Sequence, residues 1–245
     1  MKLWTEPEIH VLASPSHYHP YEWLGEDIGP DPVPARAFLP RGGAMPDKLA
    51  ETAGRACYWS YGKGRKTNAD YIANIIESGH GSVLEHPTWT FGLKGISRSL
   101  SHELVRHRHL SFSQLSQRFV NEEPEFVVSP GLPEEARMQF ESACSFAKTV
   151  YGDLLGRLPD TKRGKEAARA VLSNACATRM VVTGNARSLR QMLALRGSLA
   201  ADAEFRRLAC RWTELMKQLG PNLFADFEIR EEAGEQYVYT PYPKV

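Results

Sequence analysis

The sequence predicts an α+β fold, and three features of the chain point to it. Helical periodicity dominates the C-terminal half, whereas residues 9–13 are a strand candidate and residues 88–95 show the alternating apolar pattern of a strand. A β-rich break follows at residues 180–182. Strands and helices in separate stretches favour an α+β domain, while the order of the strands stays open.

The N-terminal part of the chain is predicted to hold one strand and two helices. The strand covers residues 9–13, and residues 30–43 are rich in proline and glycine, as is typical of an extended loop. The helices cover residues 47–57 and 68–78. The second presents isoleucines at helical spacing and ends at Gly79.

A second strand and the remaining helices follow. Aromatic and aliphatic side chains alternate along residues 88–95. Ser97 can cap a helix that begins at Arg98 and continues to about Arg106. Further helices are predicted at residues 133–157, 164–170, 186–195 and 203–219.

Composition describes an ordinary globular protein. The 245 residues are 42% hydrophobic and 24% charged, which is enough for a core, and we expect a single domain over residues 1–245. The net charge of +1 gives no global field of the kind that nucleic-acid or membrane binders carry. No stretch approaches the roughly 20 apolar residues of a membrane span, and the first residues lack a signal-peptide run, so we expect a cytoplasmic protein.

Cysteines and histidines give no sign of a metal site. Cys57, Cys144, Cys176 and Cys210 are widely spaced, so we expect reduced thiols, with Cys57 and Cys176 buried as small apolar residues. A lone His-x-His at residues 17–19 is weak evidence for a shared metal. We therefore predict no metal.

A basic, polar segment carries the strongest functional signal. Arg98, His102 and Arg106 are spaced four apart, so one helix would place them on a single ridge that could grip a phosphate. Residues 106–118 combine three arginines, two histidines, three serines and two glutamines. Arginine forks suit phosphates, and amides or hydroxyls suit ring edges, so a nucleotide or dinucleotide cofactor fits this segment. The alternative is a solvated basic loop.

The same segment resembles the signature of a known family. Arg106, His107, Arg108 and Ser116 form the pattern Arg-His-Arg, seven residues, Ser, which is similar to that of flavin-dependent thymidylate synthases (ThyX). Other segments resemble the family in the same order, at residues 54–58, 79–86, 96–99, 168–172 and 181–187. The matches run from about residue 50 to about residue 228, which leaves residues 1–45 as a divergent N-terminal extension.

The resemblance implies a fold, an assembly and cofactors. The fold is an α+β domain with a mixed or antiparallel sheet and long helices, assembled as a homotetramer whose active sites are shared among subunits. FAD is the implied cofactor, NADPH the reductant and 5,10-methylenetetrahydrofolate the methylene donor. The implied FAD contacts are Ser82, Arg106, His107, Arg108, Gln114, Asn185, Arg187 and Gln191.

The implied substrate is a pyrimidine nucleotide held by two subunits. Its contacts by resemblance are Glu103, Arg106, Gln114, Leu115, Ser116, Gln117, Arg118, Arg169 and Arg196. Arg118 and Arg169 are candidates for the phosphate. Arg196 is the catalytic candidate, at the position where the family uses a cation to favour ionisation at uracil N3. Ser116 is assigned to binding, because the sequence suggests no His-Asp relay for it.

Two departures from the family pattern bear on the substrate. Phe119 follows Arg118 where relatives usually carry tyrosine, and residues 199–201, Leu-Ala-Ala, replace a polar residue and a histidine before an alanine. Both remove polar groups near the expected site. The main expectation is C5-methylation of dUMP to dTMP, and the alternative is a UMP or dUMP methylase like those of nucleoside-antibiotic pathways such as that of polyoxin. A hydroxymethylating relative also stays open.

Two other classes of protein compete with this interpretation. A nucleic-acid-binding module would use the arginines of residues 106–118 with Phe112 and Phe119 as stacking platforms. The near-neutral charge opposes it, and we expect no nucleic-acid or membrane partner. A flavoprotein that only oxidises NADPH would follow if the changes at residues 199–200 had abolished methylation.

Overall fold

A computed structural model of the chain describes residues 1–16, 42–60 and 63–245. The strands in these residues are β1 (Leu3–Trp4), β2 (Glu8–Ala13), β3 (Thr88–Ser97), β4 (Ser111–Gln114), β5 (Phe126–Val127), β6 (Ala177–Asn185), β7 (Glu228–Glu232) and β8 (Glu235–Tyr239). The helices are α1 (Met45–Tyr58), α2 (Asn68–Glu77), α3 (Arg98–Leu104), α4 (Glu134–Arg157), α5 (Lys162–Ala168), α6 (Ala186–Arg196) and α7 (Ala203–Leu219). Single 3₁₀ turns cover Gly81–Glu85 and Arg169–Val171.

These elements confirm the predicted α+β class. Strands β2, β3, β6 and β4 form a four-stranded sheet in that order. Strands β1 and β5 pair in parallel, with Leu3 opposite Phe126, whereas β7 and β8 form an antiparallel hairpin with Ile229 opposite Val238. Among the helices that the structure describes, none combines the length and the apolar composition that crossing a bilayer requires.

The chain forms two compact units. Unit 1 comprises Met1–His10, Phe91–Val182 and Asp202–Phe205. In part of its core, Phe126 of β5 and Cys144 of α4 belong to one buried cluster. This cluster fixes the long helix α4 within the unit, because apolar area removed from water is the main source of stability.

Unit 2 comprises Val11–Thr90, Thr183–Ala201 and Arg206–Val245. Trp89 packs edge-on against Phe224 with 6.3 Å between the ring centroids, and both side chains are fully buried. That the two units together make a single domain over residues 1–245 stays a prediction.

Buried ion pairs tie helices of unit 2 to the loops around them. Arg55 of α1 bonds Glu51 at 2.7 Å, with each side chain 2% exposed, and its other N–H groups donate to backbone carbonyls of the following loop. Arg190 of α6 makes a two-pronged bond to Asp226 at 2.6 and 2.8 Å. Removal of one partner would leave a buried, unpaired charge, which costs about 3–5 kcal/mol.

Local signals explain the elements near the functional segment. The side chains of β3 alternate as predicted, with Trp89 and Leu93 buried. Ser97 caps α3, because its hydroxyl accepts from the Leu100 N–H at 3.0 Å. Glu204 in turn accepts from the Ser97 N–H at 2.8 Å and from its hydroxyl at 2.6 Å, so the start of α3 is held from outside the helix.

The structure corrects the predicted ridge on this helix. Helix α3 ends at Leu104. The Arg106 and His107 N–H groups bond to carbonyls three residues back instead of four, those of Glu103 and Leu104, at 3.2 and 3.1 Å. Arg106 therefore lies in a turn, and Arg98, His102 and Arg106 do not form one helical ridge.

Other expectations were wrong or lie outside the described residues. Cys57 is exposed at the end of α1, not buried, whereas Cys176 is buried as predicted. The sequence did not predict β1, β4, β5 or the hairpin β7–β8. The loop predicted at residues 30–43 and the His-x-His at 17–19 fall outside the described residues, apart from residues 42–43.

Candidate functional site

A cavity of about 260 Å³ lies within unit 1. Three residues with predicted nucleotide contacts line it, namely Leu115, Ser116 and Gln117, which directly follow β4. The start of α3 contributes Arg98 to the same cavity. The structure thus brings the polar run after β4 and the first residue of α3 to one concave surface, which is where small ligands usually bind.

Arg98 is the cation most firmly built into this cavity. Its side chain is half-buried, and its Nη2 donates to the Leu115 carbonyl at 3.1 Å. Its Nε is buried and bonds to no described residue. Burial is the main effect and lowers the pKa of Arg98; the neighbouring Cys176 opposes this, and the nearby Arg169 cation adds a smaller lowering effect. An arginine remains protonated under such conditions, so two close cations without a carboxylate between them favour an anionic ligand.

Gln114 is held in place by two hydroxyls of unit 1. Its amide nitrogen donates to Ser101 at 2.9 Å and to Thr178 at 3.3 Å. The following residue is fixed by the backbone, because the Leu115 N–H donates to the Arg179 carbonyl at 3.0 Å. Helix α3 and strand β6 therefore set the conformation of the segment that enters the cavity.

Cys176 lies beneath Gln117 in the cavity wall. The Gln117 amide nitrogen lies 3.4 Å from the Cys176 sulfur, and burial raises the pKa of that thiol. The thiol is therefore neutral near pH 7, and it serves as a small, weakly polar support for the glutamine.

The two predicted phosphate arginines lie near helix α5. Arg118 approaches Glu166 of α5 at 3.5 Å, and both side chains are partly exposed. Arg169 follows α5 directly, in a 3₁₀ turn. The ring of Phe119, which is 59% exposed, has Arg118 and Lys162 within 5.5 and 5.3 Å of its centroid.

The Arg-His-Arg motif does not line this cavity. Glu103 is in the last turn of α3, and Arg106, His107 and Arg108 lie in the turn between α3 and β4. Arg106 and Arg108 are exposed, and neither forms an ion pair within the described parts of the chain. The His107 ring packs edge-on against Phe205, with 6.3 Å between centroids, which fixes the middle of the turn.

Unit 2 carries the other predicted contacts on two neighbouring elements. Ser82 is exposed in the 3₁₀ turn Gly81–Glu85, and Asn185 caps α6 by accepting from the Ser188 N–H at 2.9 Å. Arg187 in the first turn of α6 pairs with Glu85 of that 3₁₀ turn at 2.6 Å. The helix start and the turn are thus joined.

The remaining predicted residues of unit 2 lie farther along α6. Gln191 is exposed in its middle, and Arg196 is the half-buried last residue before Gly197. The structure therefore places Ser82, Asn185 and Arg187 together and Arg196 at the opposite end of the helix.

Sequence reasoning missed several residues that shape the cavity. Ser101 and Thr178 orient Gln114, while Lys94 and Tyr151 line the wall. The period-2 pattern of β3 could have indicated Lys94, because it alternates with buried residues. No local signal marks Tyr151, which reaches the cavity from α4. No group of three potential ligands for a metal converges within residues 1–16, 42–60 and 63–245.

Comparisons with known proteins agree with the sequence motifs. Residues 43–222 match the Thy1 family, described as thymidylate synthase complementing protein. A flavin-dependent thymidylate synthase of Mycobacterium avium is 48% identical over 198 residues, which cover 74% of this chain and 79% of that protein. One of Mycobacterium tuberculosis is 46% identical with the same coverage. One of Corynebacterium efficiens is 44% identical over 214 residues, covering 80% of this chain and 86% of that protein.

Proposed function

The chain is an enzyme that belongs to the flavin-dependent thymidylate synthase family, and from this premise we propose that it methylates C5 of a uridylate, converting dUMP to dTMP. The methylene carbon comes from 5,10-methylenetetrahydrofolate, and NADPH is the final reductant. FAD, when bound, passes the reducing equivalents on. The unpaired cysteines and the cofactors suit a cytoplasmic enzyme.

The pair of close arginines in unit 1 is the observation that carries the proposal. Arg98 and Arg169 lie near enough to lower the pKa of Arg98, and neither has a carboxylate partner in the described residues. The three carboxylates that line the same cavity, Glu122, Glu123 and Glu125, are paired with Arg179, Lys148 and Lys2. A nucleotide phosphate would therefore supply a negative charge to the two arginines and accept from the buried Arg98 Nε. Ser116 and Gln117 in the same cavity offer hydroxyl and amide groups for the sugar or the base.

Ser116 acts in binding and not as a nucleophile. Its hydroxyl oxygen accepts from the Arg118 N–H at 3.3 Å, and no histidine or carboxylate of the described residues bonds to it. A serine without a base partner is a poor nucleophile at neutral pH. Its contact instead shapes the turn that presents Arg118 to the phosphate.

The residues proposed for FAD fit its chemistry. Arg106 and Arg108 are exposed cations without a carboxylate partner in the described parts of the chain, as a pyrophosphate site requires. Gln114, Asn185 and Gln191 supply amides for the ring edges, and Ser82 and His107 supply further hydrogen-bonding groups. Arg187, beside Ser82 and Asn185, adds a cation to the proposed FAD contacts.

Arg196 is the proposed catalytic residue. A fixed cation beside the pyrimidine edge stabilises the N3-ionised form and raises electron density at C5, where the new bond forms. Its place at the C-terminal end of α6 also suits a cation, because the helix dipole is negative there.

UMP is the second candidate substrate, and two exposed positions favour it. Phe119 is 59% exposed without a phenolic hydroxyl, and Leu199 is 39% exposed where relatives carry polar groups. Without these polar groups, fewer contacts would select between a ribose and a deoxyribose.

The proposed assembly is a homotetramer. Met138 and Phe146 of α4 are 73% and 71% exposed, which is unusual for large apolar side chains that are eight residues apart on one helix. A second copy of this chain would cover them, as active sites shared among subunits require.

The function is tested by product identification. The purified protein is incubated with FAD, NADPH and 5,10-methylenetetrahydrofolate, with dUMP and UMP offered separately, and products are identified by mass. With dUMP, we expect a nucleotide product that is about 14 mass units heavier than dUMP itself, which is the mass of one added CH₂ group. NADPH oxidation without any methylated nucleotide would contradict the proposal. Comparable product from UMP would establish the second candidate.

A further inference from the structure

The hairpin β7–β8 lies beyond the part of the chain that matches the family, yet it touches the end of the helix that carries Arg196. The family match ends at residue 222, and the hairpin begins at Glu228. The Val238 N–H donates to the Gly197 carbonyl at 2.8 Å. A Cβ on Gly197 would lie 2.3 Å from a Val238 methyl carbon, so the Val238 side chain packs in space that only a glycine leaves free.

A second connection joins the hairpin to the loop after Arg196. Arg206 of α7, 8% exposed, donates to the carbonyls of Leu199 and Ala201 at 3.1 and 3.3 Å. The same guanidinium bonds Glu235 of β8 at 2.6 Å. One side chain therefore holds both the loop and the hairpin.

The base of the hairpin is also fixed to α6. Asp226 precedes β7 and receives the two-pronged bond from Arg190 as well as a bond from the Thr240 hydroxyl at 2.5 Å. Thr240 directly follows β8. The hairpin is thus anchored at its base and along β8, and its contacts converge on residues 197–201.

We infer that the hairpin is a positioning element for Arg196, acting through Gly197 and through the Arg206–Glu235 pair. This inference rests on the proposed role of Arg196 at uracil N3. The Arg196 cation favours loss of the uracil N3 proton only when it is held at the edge of the pyrimidine. A displacement of the guanidinium by about 1 Å can lower the rate by up to about 100-fold. Arg206, Glu235 and Val238 are positioning residues that need not touch the nucleotide.

The test uses the full chain with FAD and compares four variants. Arg206→Ala removes the double connection, and we expect kcat for methylation to fall about tenfold. Glu235→Gln, which keeps the side-chain size, gives a smaller fall in the same direction. Glu228→Gln is the matched control, because Glu228 pairs with Arg230 at 2.8 Å on the same hairpin without contacting the loop. Arg206→Lys, which keeps the charge, should recover part of the loss.

Further readouts separate positioning from a general loss of structure. The kcat–pH profile of Arg206→Ala should shift to higher pH, because a displaced Arg196 stabilises the N3-ionised pyrimidine less. Flavin content and NADPH oxidation without nucleotide should match the unmodified protein. Amide hydrogen exchange of residues 195–201 should be faster in Arg206→Ala and in Glu235→Gln, and unchanged in Glu228→Gln.

A double-mutant cycle decides the inference. In an Arg196→Ala background, adding Glu235→Gln should not lower kcat further, since the hairpin acts through Arg196. The same proportional loss in both backgrounds would overturn the inference, as would equal behaviour of Glu235→Gln and Glu228→Gln. If Arg196→Ala itself left kcat and its pH profile unchanged, the proposed role of Arg196 would fail, and with it the premise of the inference.

Discussion

The amide nitrogen of Gln114 donates to the Ser101 hydroxyl at 2.9 Å, and that hydroxyl donates in turn to the Arg98 carbonyl at 2.9 Å. With a further bond to Thr178, both amide hydrogens of Gln114 are used within unit 1. The amide oxygen is the part of this side chain left for a ligand. A glutamine with a fixed amide orientation can distinguish a donor from an acceptor on a ring edge.

Replacing Ser101 should weaken ligand binding through Gln114. In Ser101→Ala the amide loses its shorter bond and can rotate, so the dissociation constant for FAD, measured by flavin fluorescence, should rise about fivefold, corresponding to about 1 kcal/mol. Thr178→Val removes the longer bond and should have a smaller effect. A larger effect from Thr178→Val than from Ser101→Ala would contradict this order.

The pair of Arg118 and Glu166 predicts opposite effects of two substitutions. Glu166→Gln removes a carboxylate that competes with the phosphate for Arg118, so the nucleotide KM should fall about two- to fivefold with little change in kcat. Arg118→Ala should raise the same KM about tenfold or more, because a charge-assisted bond is lost. Glu141→Gln serves as the control, since it breaks a similar pair with Arg137 on α4. An unchanged or higher KM in Glu166→Gln would argue against phosphate binding by Arg118.

The exposed apolar side chains of α4 predict a variant with altered assembly. Phe146→Glu places a charge where a second copy would cover the ring, so sedimentation should show a smaller species than for the unmodified protein. Phe146→Leu keeps the position apolar and should assemble normally. Sedimentation of Phe146→Glu at the position of the unmodified protein would exclude α4 from the subunit contact.

Cys210 predicts a loss of stability in alkaline solution. Burial raises the pKa of its thiol from 9.0 to about 11. Because the folded pKa lies above the unfolded one, the stabilising contribution is complete below about pH 9 and is lost as the pH rises towards 11. The free energy of unfolding should therefore fall over this window, and Cys210→Ala should show a shallower fall. Equal slopes in urea titrations at several pH values would contradict the assignment.

The elements that sequence patterns predicted well are those with strong local causes. Strand β3 shows the clean alternation that includes Trp89 and Leu93, and α3 begins at the Ser97 cap as expected. Helix α2 ends at Glu77, two residues before Gly79, whose φ of 72° suits the glycine that the sequence placed at the end of this helix. Each of these signals lies within a few residues of the feature it determines.

Features that depend on distant partners were missed. The end of α3 at Leu104 follows from the compact turn that packs His107 on Phe205, which no nearby residue announces. Strand β5 has only two residues and forms by pairing with β1, more than a hundred residues away in sequence. The cavity likewise combines α3, α4 and the ends of three strands, so the motif pointed to Leu115, Ser116 and Gln117 in its lining but not to Tyr151 of α4.

Cys57 is exposed on α1, and this exposure makes its thiol accessible to chemical labelling. All four cysteines lie in the described part of the chain, and the other three are buried with thiol pKa values raised by burial. Near neutral pH a maleimide dye should therefore attach to Cys57 alone. Helix α1 also packs near the Ser82 turn, since a Cβ on Gly54 would lie 3.3 Å from a Val83 methyl carbon. The native chain thus carries a single-site attachment point for a fluorophore that could report flavin binding by energy transfer, without any engineered cysteine.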